Sequence, residues 1–347
     1  MYSSLRRLVA GGRVAAVAVV AATAVAACGS SSSSSSAGGA SSSTGSASQA
    51  AATTTQSSGP VTLRIAYNPN PSNTPIVVAE KEGFFKQNGI NAQLTTSQDT
   101  AALALDAGKQ FDLVNTTPPT LLQAVAQGYK EELVASEDVE SSSNRDTFLI
   151  GAKGITSLAA LKGKVIGVPG LSGNLYESAV VALHKAGLSK SDVKFLIVPF
   201  PDMGNDLKSG TIQAAVTIVP FNGQLLGEGG VDLGNPIEST VNNQQALDLG
   251  WAASDSWVAA NQATLQKFDK SQEEALAWMK SHQAATVKLL ETDFQLPAIA
   301  AQHYPVVGYI SYPTSAAYLT NWVAPMKAVG DLPSSFNPSA SQLVYTP

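Results

Sequence analysis

The alternation of apolar and polar residues divides the chain into three unlike stretches. Val14 to Ala27 is uncharged and apolar, residues 29–59 hold no aromatic or large aliphatic side chain, and from Val61 onward short β-like runs alternate with segments of helical period. Within this last stretch Val61–Tyr67, Ile90–Thr95, Phe111–Asn115 and Glu132–Ser136 read as strands. The segments between them read as helices. Thr74-Pro75 supplies an N-cap and a first-turn proline for a helix toward Phe84 and Phe85. Asp99 or Thr100 opens another that Gly108 ends, and Thr117-Pro118 opens a third that stops at Gly128. The pattern then restarts: strands at Thr147–Ala152, Val165–Val168, Phe195–Val198 and Ala214–Ile218 alternate with helices at Ser157–Leu161, Ser172–Ala186 and Met203–Lys208. Beyond residue 250 one strand around Trp257–Ala259 precedes mainly helix, at Gln262–Phe268, Gln272–Thr292 and Ser315–Met326.

Strand-helix alternation predicts an α/β fold with mostly parallel sheets covered on both faces. Two similar units, each too small to be the whole, predict two lobes. The expected boundaries are 60–146 for the first part of lobe 1, 147–248 for lobe 2, and 249–347 for a return to lobe 1 with C-terminal helices.

The first two stretches bear on location. Arg6, Arg7 and Arg13 precede an apolar run of 14 residues, shorter than the roughly 20 that a spanning helix needs, so residues 1–27 read as a signal peptide. Val25-Ala26-Ala27-Cys28 resembles a bacterial lipobox, which implies cleavage before Cys28 and a diacylglyceryl group on its sulfur. Residues 28–59 cannot bury enough apolar surface to offset the entropy of ordering. They read as a tether, with a mean end-to-end reach on the order of 30 Å.

Charge and titratable residues narrow the function. Without the three leader arginines, 18 basic residues face 26 acidic ones, a net of −8. The lysines are dispersed, which argues against a nucleic-acid partner. Cys28 is the only cysteine, so no internal disulfide is available. His184, His282 and His303 are scattered, and no metal-ligand spacing, nucleophile elbow or phosphate-binding loop is present. Gly167 to Gly173 lacks the dinucleotide spacing and contains Pro169. The chain is therefore expected to be no enzyme and to need neither cofactor nor metal.

Small polar residues recur where a strand gives way to a helix: Ser72, Asn73 and Thr74; Thr116 and Thr117; Ser172, Gly173 and Asn174. In open α/β sheets ligands bind beyond the carboxyl ends of strands, where helix N-termini offer free amides to anions or polar head groups. The competing reading is that Thr74, Thr117 and Ser172 only cap their helices. A micromolar site needs about 8 kcal/mol. Helix termini and neutral hydrogen bonds reach that sum only if closing lobes exclude water.

Leu63-Arg64-Ile65-Ala66-Tyr67, Pro71-Ser72-Asn73-Thr74-Pro75, Ala79 to Phe85, and Ala104 to Gly108 with Phe111-Asp112 resemble the opening of ABC-importer substrate-binding proteins of the nitrate, taurine and aliphatic sulfonate group. Ile155 to Pro169, Ala186-Gly187-Leu188-Ser189 with Asp192-Val193, and Leu207-Lys208-Ser209-Gly210 with Ala214-Ala215-Val216 are similar to the second lobe of that family. The resemblance spans roughly residues 61–295. It implies a type 2 periplasmic-binding-protein fold: two lobes with a ligand cleft and a hinge. Ser72, Asn73, Thr74, Thr116 and Thr117 would form one wall, and Ser172, Gly173 and Asn174 the facing one. Where the family often carries Trp-Glu-Pro, this chain has Ile218-Val219-Pro220. That leaves Thr217 and Val219 as neutral candidates and argues against a cationic solute. Trp251 is a candidate stacking wall or a core residue. The resemblance further implies a monomeric, lipid-anchored extracytoplasmic receptor delivering a small molecule to an ABC permease with a cytoplasmic ATPase. The expected solute is a sulfonate, taurine or nitrate-like anion or polar compound. The alternatives are a neutral heterocycle such as a thiamine precursor, or an enzyme resembling thiamine-pyrimidine synthases.

Overall fold

The computed structural model describes residues 59–346 except 142, 144, 243–244 and 305–314. The leader, Cys28 and all of the tether but its last residue lie outside the described residues. In chain order the strands are β1 (Val61–Tyr67), β2 (Ile90–Thr96), β3 (Leu113–Thr116), β4 (Glu131–Glu140), β5 (Thr147–Gly151), β6 (Val165–Val168), β7 (Lys194–Ile197), β8 (Ala214–Ile218), β9 (Val231–Asp232) and β10 (Ala246–Ser254). They form two five-stranded sheets, of order β2-β1-β3-β10-β4 and β7-β6-β8-β5-β9.

The two sheets share one plan. In each, three strands are parallel: β2, β1 and β3 in the first sheet, β7, β6 and β8 in the second. The other two run antiparallel to their neighbours: β10 pairs with β3 and β4, and β5 with β8 and β9. The expected mostly parallel arrangement is thus corrected to two mixed sheets. The reason lies in the connections. The chain leaves the first sheet along β4, enters the second as β5, and returns as β10, and each returning strand enters against the direction of its neighbours.

The return strand also corrects the reading around Trp257. Those residues form a helix, Asp255–Ala260, whose N-cap Ser254 accepts a hydrogen bond from the Trp257 N–H at 3.4 Å. The strand precedes it, in β10, where every position but the last is buried. Burial on both faces erases the period-two alternation by which a half-exposed strand is recognised. Gly250 permits the close approach of β10 to β4, since a Cβ there would stand 2.7 Å from the Ala135 carbonyl oxygen and 2.7 Å from Leu133 Cδ1.

The helical C-terminal part is as expected in kind. Gln262–Ser281 is one continuous helix, and after His282 a second spans Gln283–Asp293. The apolar face of the Gln262–Ser281 helix closes the core of the first sheet. Phe268 stacks on Phe85 at 6.0 Å between centroids and meets Trp251 edge-on at 5.5 Å, and all three are fully buried. Three short helices, Phe221–Gly227, Pro236–Thr240 and Ala298–His303, were not legible from periodicity at their length. No helix among the described residues is long and apolar enough to cross a membrane.

Candidate functional site

The strands of both sheets end at a common cavity of about 490 Å³. From the first sheet it is lined by Asn68 to Pro71 after β1, Gln98 after β2 and Thr117 after β3. From the second it is lined by Pro169, Gly170 and Ser172 to Leu175 after β6, Pro199 to Pro201 after β7, and Phe221 after β8. Leu249 on the crossing strand β10 and Phe294 and Leu296 beyond the Gln283–Asp293 helix complete the lining. This is the topological position where open α/β sheets hold ligands, and the volume falls in the usual range for small-molecule sites, about 300–1,000 Å³.

Of the residues expected to bind, Thr117, Ser172, Gly173 and Asn174 line this cavity. Ser172 is the N-cap of the Gly173–Lys185 helix, but its side chain makes no capping hydrogen bond. Its hydroxyl is thus spare on a wall of the cavity. Thr117 spends its hydroxyl on Thr120, Oγ1 to Oγ1 at 2.9 Å. Asn174 turns its amide inward, donating to the Asp248 carbonyl oxygen at 3.2 Å and to the Asp248 carboxylate.

The others sit behind the wall. Ser72, Asn73, Thr74, Thr116, Thr217 and Trp251 are fully buried and absent from the lining. Asn73 Nδ2 donates to the Asn68 carbonyl at 2.8 Å and to Asn115 Oδ1 at 3.2 Å, bracing the loop after β1. Ser72 Oγ meets the Tyr304 hydroxyl at 3.1 Å, Thr74 Oγ1 donates to the Pro71 carbonyl, and Thr116 Oγ1 donates to the Thr117 carbonyl at 3.4 Å. Val219 is half-buried, and its N–H donates to the Asp146 carbonyl at 2.9 Å. In a strand-to-helix connection only the residues on the open side of the loop reach the crevice, and spacing alone does not say which. Alanine at Ser172 is therefore expected to leave stability within about 0.5 kcal/mol. At Asn73 it should cost about 1–3 kcal/mol; urea denaturation checks both.

What sequence missed is apolar. Phe200 and Phe221 stack at 5.5 Å between centroids with planes 14° apart, on the lobe of the second sheet, and Phe294 lies in the same lining. Phe221 lies two residues beyond the candidate Val219, but nothing in the local sequence shows that its ring or those of Phe200 and Phe294 face the cavity.

Among the described residues no Lys, Arg, His, Asp or Glu lines the cavity. Arg64 is held by Asp112, with Nη2 to Oδ1 at 2.6 Å and Nε to Oδ2 at 3.1 Å. Arg145 is held by Asp232 in a two-pronged pair at 2.7 and 2.8 Å and covers the Phe148 ring. The helix termini supply less than expected. The Pro118–Ala126 helix begins with two prolines, Pro118 and Pro119, which have no N–H to offer. The longer Gly173–Lys185 helix presents free first-turn amides at the cavity.

Two α/β lobes of like strand order, with a cavity at the facing ends of their parallel strands, define a periplasmic-binding-protein fold. Residues 70–286 match the family described as NMT1/THI5 like, and the chain belongs to that family. It is 29% identical over 159 residues to a putative thiamine biosynthesis protein of Haemophilus influenzae, covering 45% of this chain and 49% of that one. It is 26% identical over 225 residues to the riboflavin-binding protein RibY of Chloroflexus aurantiacus, covering 62% and 61%. The matches thus span about half to three-fifths of these relatives' lengths. Among solved structures, the alkanesulfonate-binding protein SsuA of Xanthomonas axonopodis pv. citri superposes with a TM-score of 0.64 at 20% identity, covering 80% of this chain and 96% of that one. The nitrate-binding protein NrtA of Synechocystis does so at 0.60 and 12% identity, covering 80% and 83%.

Proposed function

We propose that this chain is the extracytoplasmic solute-binding component of an ABC importer, held to the membrane through a lipid on Cys28. It would take up a flat, uncharged nitrogen heteroaromatic compound between its lobes and hand it to a permease without changing it chemically. The observation that carries the choice of solute is the lining: a stacked phenylalanine pair and prolines, amide and hydroxyl groups, and among the described residues no charged side chain. Aromatic faces favour flat π-systems, and Asn68, Asn70, Gln98 and Ser172 can match ring nitrogens and exocyclic groups by neutral hydrogen bonds. The relatives named for thiamine biosynthesis and riboflavin binding point to solutes of this chemistry. A sulfonate or nitrate is the second reading. Free amides at the start of the Gly173–Lys185 helix and the likeness to SsuA favour it.

Calorimetric titration with a thiamine pyrimidine, riboflavin, taurine, an alkanesulfonate and nitrate separates the two. Saturable binding of a pyrimidine or flavin with no heat from the anions is the expected result, and the reverse would overturn it. Alanine at Phe200, which is half-buried, should weaken the heteroaromatic ligand by about tenfold or more, since stacking on an aromatic side chain contributes about 1–3 kcal/mol.

A further inference from the structure

Beside the cavity, where the chain crosses between the lobes, three aspartates converge. Asp138 lies near the end of β4, Asp146 in the connection to β5, and Asp248 on the returning strand β10. One carboxylate oxygen of each lies within 4.8 Å of the others. All three residues are more than nine-tenths buried, with exposures of 4%, 7% and 3%.

Irregular pairing brings two of them together. In the ladder between β10 and β4, Leu247 faces Val139 and Leu249 faces Asp138, so Asp248 is the extra residue of a bulge. A bulge re-aims a side chain that regular alternation would point elsewhere. The sequence spacing of 138, 146 and 248 gives no hint of this convergence, which is why no metal site was expected.

Among the described residues these carboxylates have no cationic partner. Arg145, adjacent to Asp146, is spent on Asp232. Asp248 receives the Asn174 amide, but Asp138 Oδ1 and Asp146 Oδ2 are buried and meet no hydrogen-bond donor. Burial comes first among the influences on all three, and neighbouring acids add to it. Glu140 acts on Asp138, Asp138 and Glu140 act on Asp146, and Glu140 and Asp138 act on Asp248, each raising the pKa. Buried carboxylates persist when they are protonated, paired or bound to a metal. Ser72 and the Val139 N–H satisfy Asp138 in part, and the Val219 N–H satisfies Asp146 in part; the oxygens left without a donor fit the last of these.

We propose that Asp138, Asp146 and Asp248 form a binding site for a hard divalent cation, calcium foremost, that ties together the two strands and the linker joining the lobes. An all-oxygen donor set selects calcium, magnesium or manganese over zinc or copper. Calcium leads among these because it accepts irregular shells of carboxylate oxygens, whereas magnesium demands near-ideal octahedral geometry and keeps several waters. The cation offsets the mutual repulsion of the acids and fixes the hinge segments against each other. The site is separate from the cavity and stands whichever solute the lobes hold.

Terbium, a luminescent stand-in for calcium, tests this on the full-length protein stripped with a chelator. Trp251, three residues from Asp248 on the same strand, is positioned to sensitise it. Excitation of tryptophan should give terbium emission that saturates at concentrations on the order of 10 µM and is displaced by calcium. Calcium at 1 mM should raise the thermal midpoint by about 5 °C over the chelated protein. Asp146→Asn should abolish both effects. Absence of emission together with a midpoint unmoved by calcium in the wild-type protein would show that protons alone neutralise the cluster. Emission and shift that survive unchanged in Asp146→Asn would place the ion elsewhere and equally overturn the proposal. If that variant fails to fold, the two wild-type measurements decide.

Discussion

Alanine at Trp251 is expected to lower stability by about 3–5 kcal/mol and the thermal midpoint by about 10 °C, while leaving the affinity for solute unchanged in the fraction that folds. The indole is fully buried and forms one end of a ring series running through Phe268 to Phe85. It thereby joins the crossing strand β10 to the Gln262–Ser281 helix and, through Phe85, to the short helix Phe84–Gln87. Truncation opens a cavity the size of an indole where three elements meet, and a backbone already in close contact at Gly250 cannot move in to fill it. Chemical denaturation and calorimetric titration of the variant separate the two roles open to this tryptophan. Lost affinity with stability retained would mean that the ring is a wall of the solute site after all.

Trp251 also shows what sequence could and could not reveal. Strands such as β1 and β6 carry short β-branched runs bounded by proline or asparagine, and those signals are local. The helix starts at Thr117, Ser172 and Asp99 were legible for the same reason, and Asp99 does cap its helix by accepting from the Ala102 N–H at 3.0 Å. β10 was not legible, because a strand buried on both faces has no alternation and this one contains Gly250 and Asp248. Missing it meant missing the antiparallel member of the first sheet. The candidate site divides along the same line. Thr117, Ser172, Gly173 and Asn174 sit where strand ends and helix starts coincide, a feature of local sequence. Phe200, Phe221 and Phe294 reach the same cavity from three separate segments, a consequence of how those segments pack. Side-chain direction was the further unknown: Asn73 and Thr116 lie within a residue or two of the lining and point into the protein.

The same packing sets a pH dependence at the contact between lobes. Glu177, on the helix whose first turn lines the cavity, accepts a hydrogen bond from Gln123 Nε2 on the facing lobe at 2.9 Å. Its other oxygen is buried without a donor, as is Asp331 Oδ2, and Asp331 is engaged by Lys190. Burial, followed by the negative charge of Asp331, pushes the Glu177 carboxyl up to about 8 from an ordinary 4.5. The side-chain hydrogen bond with Asp331 adds to the rise, so the protonated form of Glu177 is favoured at this contact.

An acid whose pKa is higher folded than unfolded binds protons preferentially in the folded state, so its contribution to stability declines as pH rises. The decline begins near the unfolded value of about 4.5 and ends near 8. It reaches at most about 5 kcal/mol over that window, with a slope no steeper than about 1.4 kcal/mol per pH unit. Glu131, Glu132 and Asp269, each pushed up to about 7 chiefly by burial, add a slope of the same sign. The difference between the wild-type protein and Glu177→Gln therefore isolates this group. Glutamine keeps the shape, cannot ionise, and can donate its amide to Asp331 in place of the shared proton. Urea denaturation from pH 5 to pH 9 should show the variant losing markedly less stability than the wild type across this range, and exceeding it at pH 9. Parallel pH profiles for the two proteins would mean that Glu177 is ionised in the folded state and that its contact with Asp331 carries no proton.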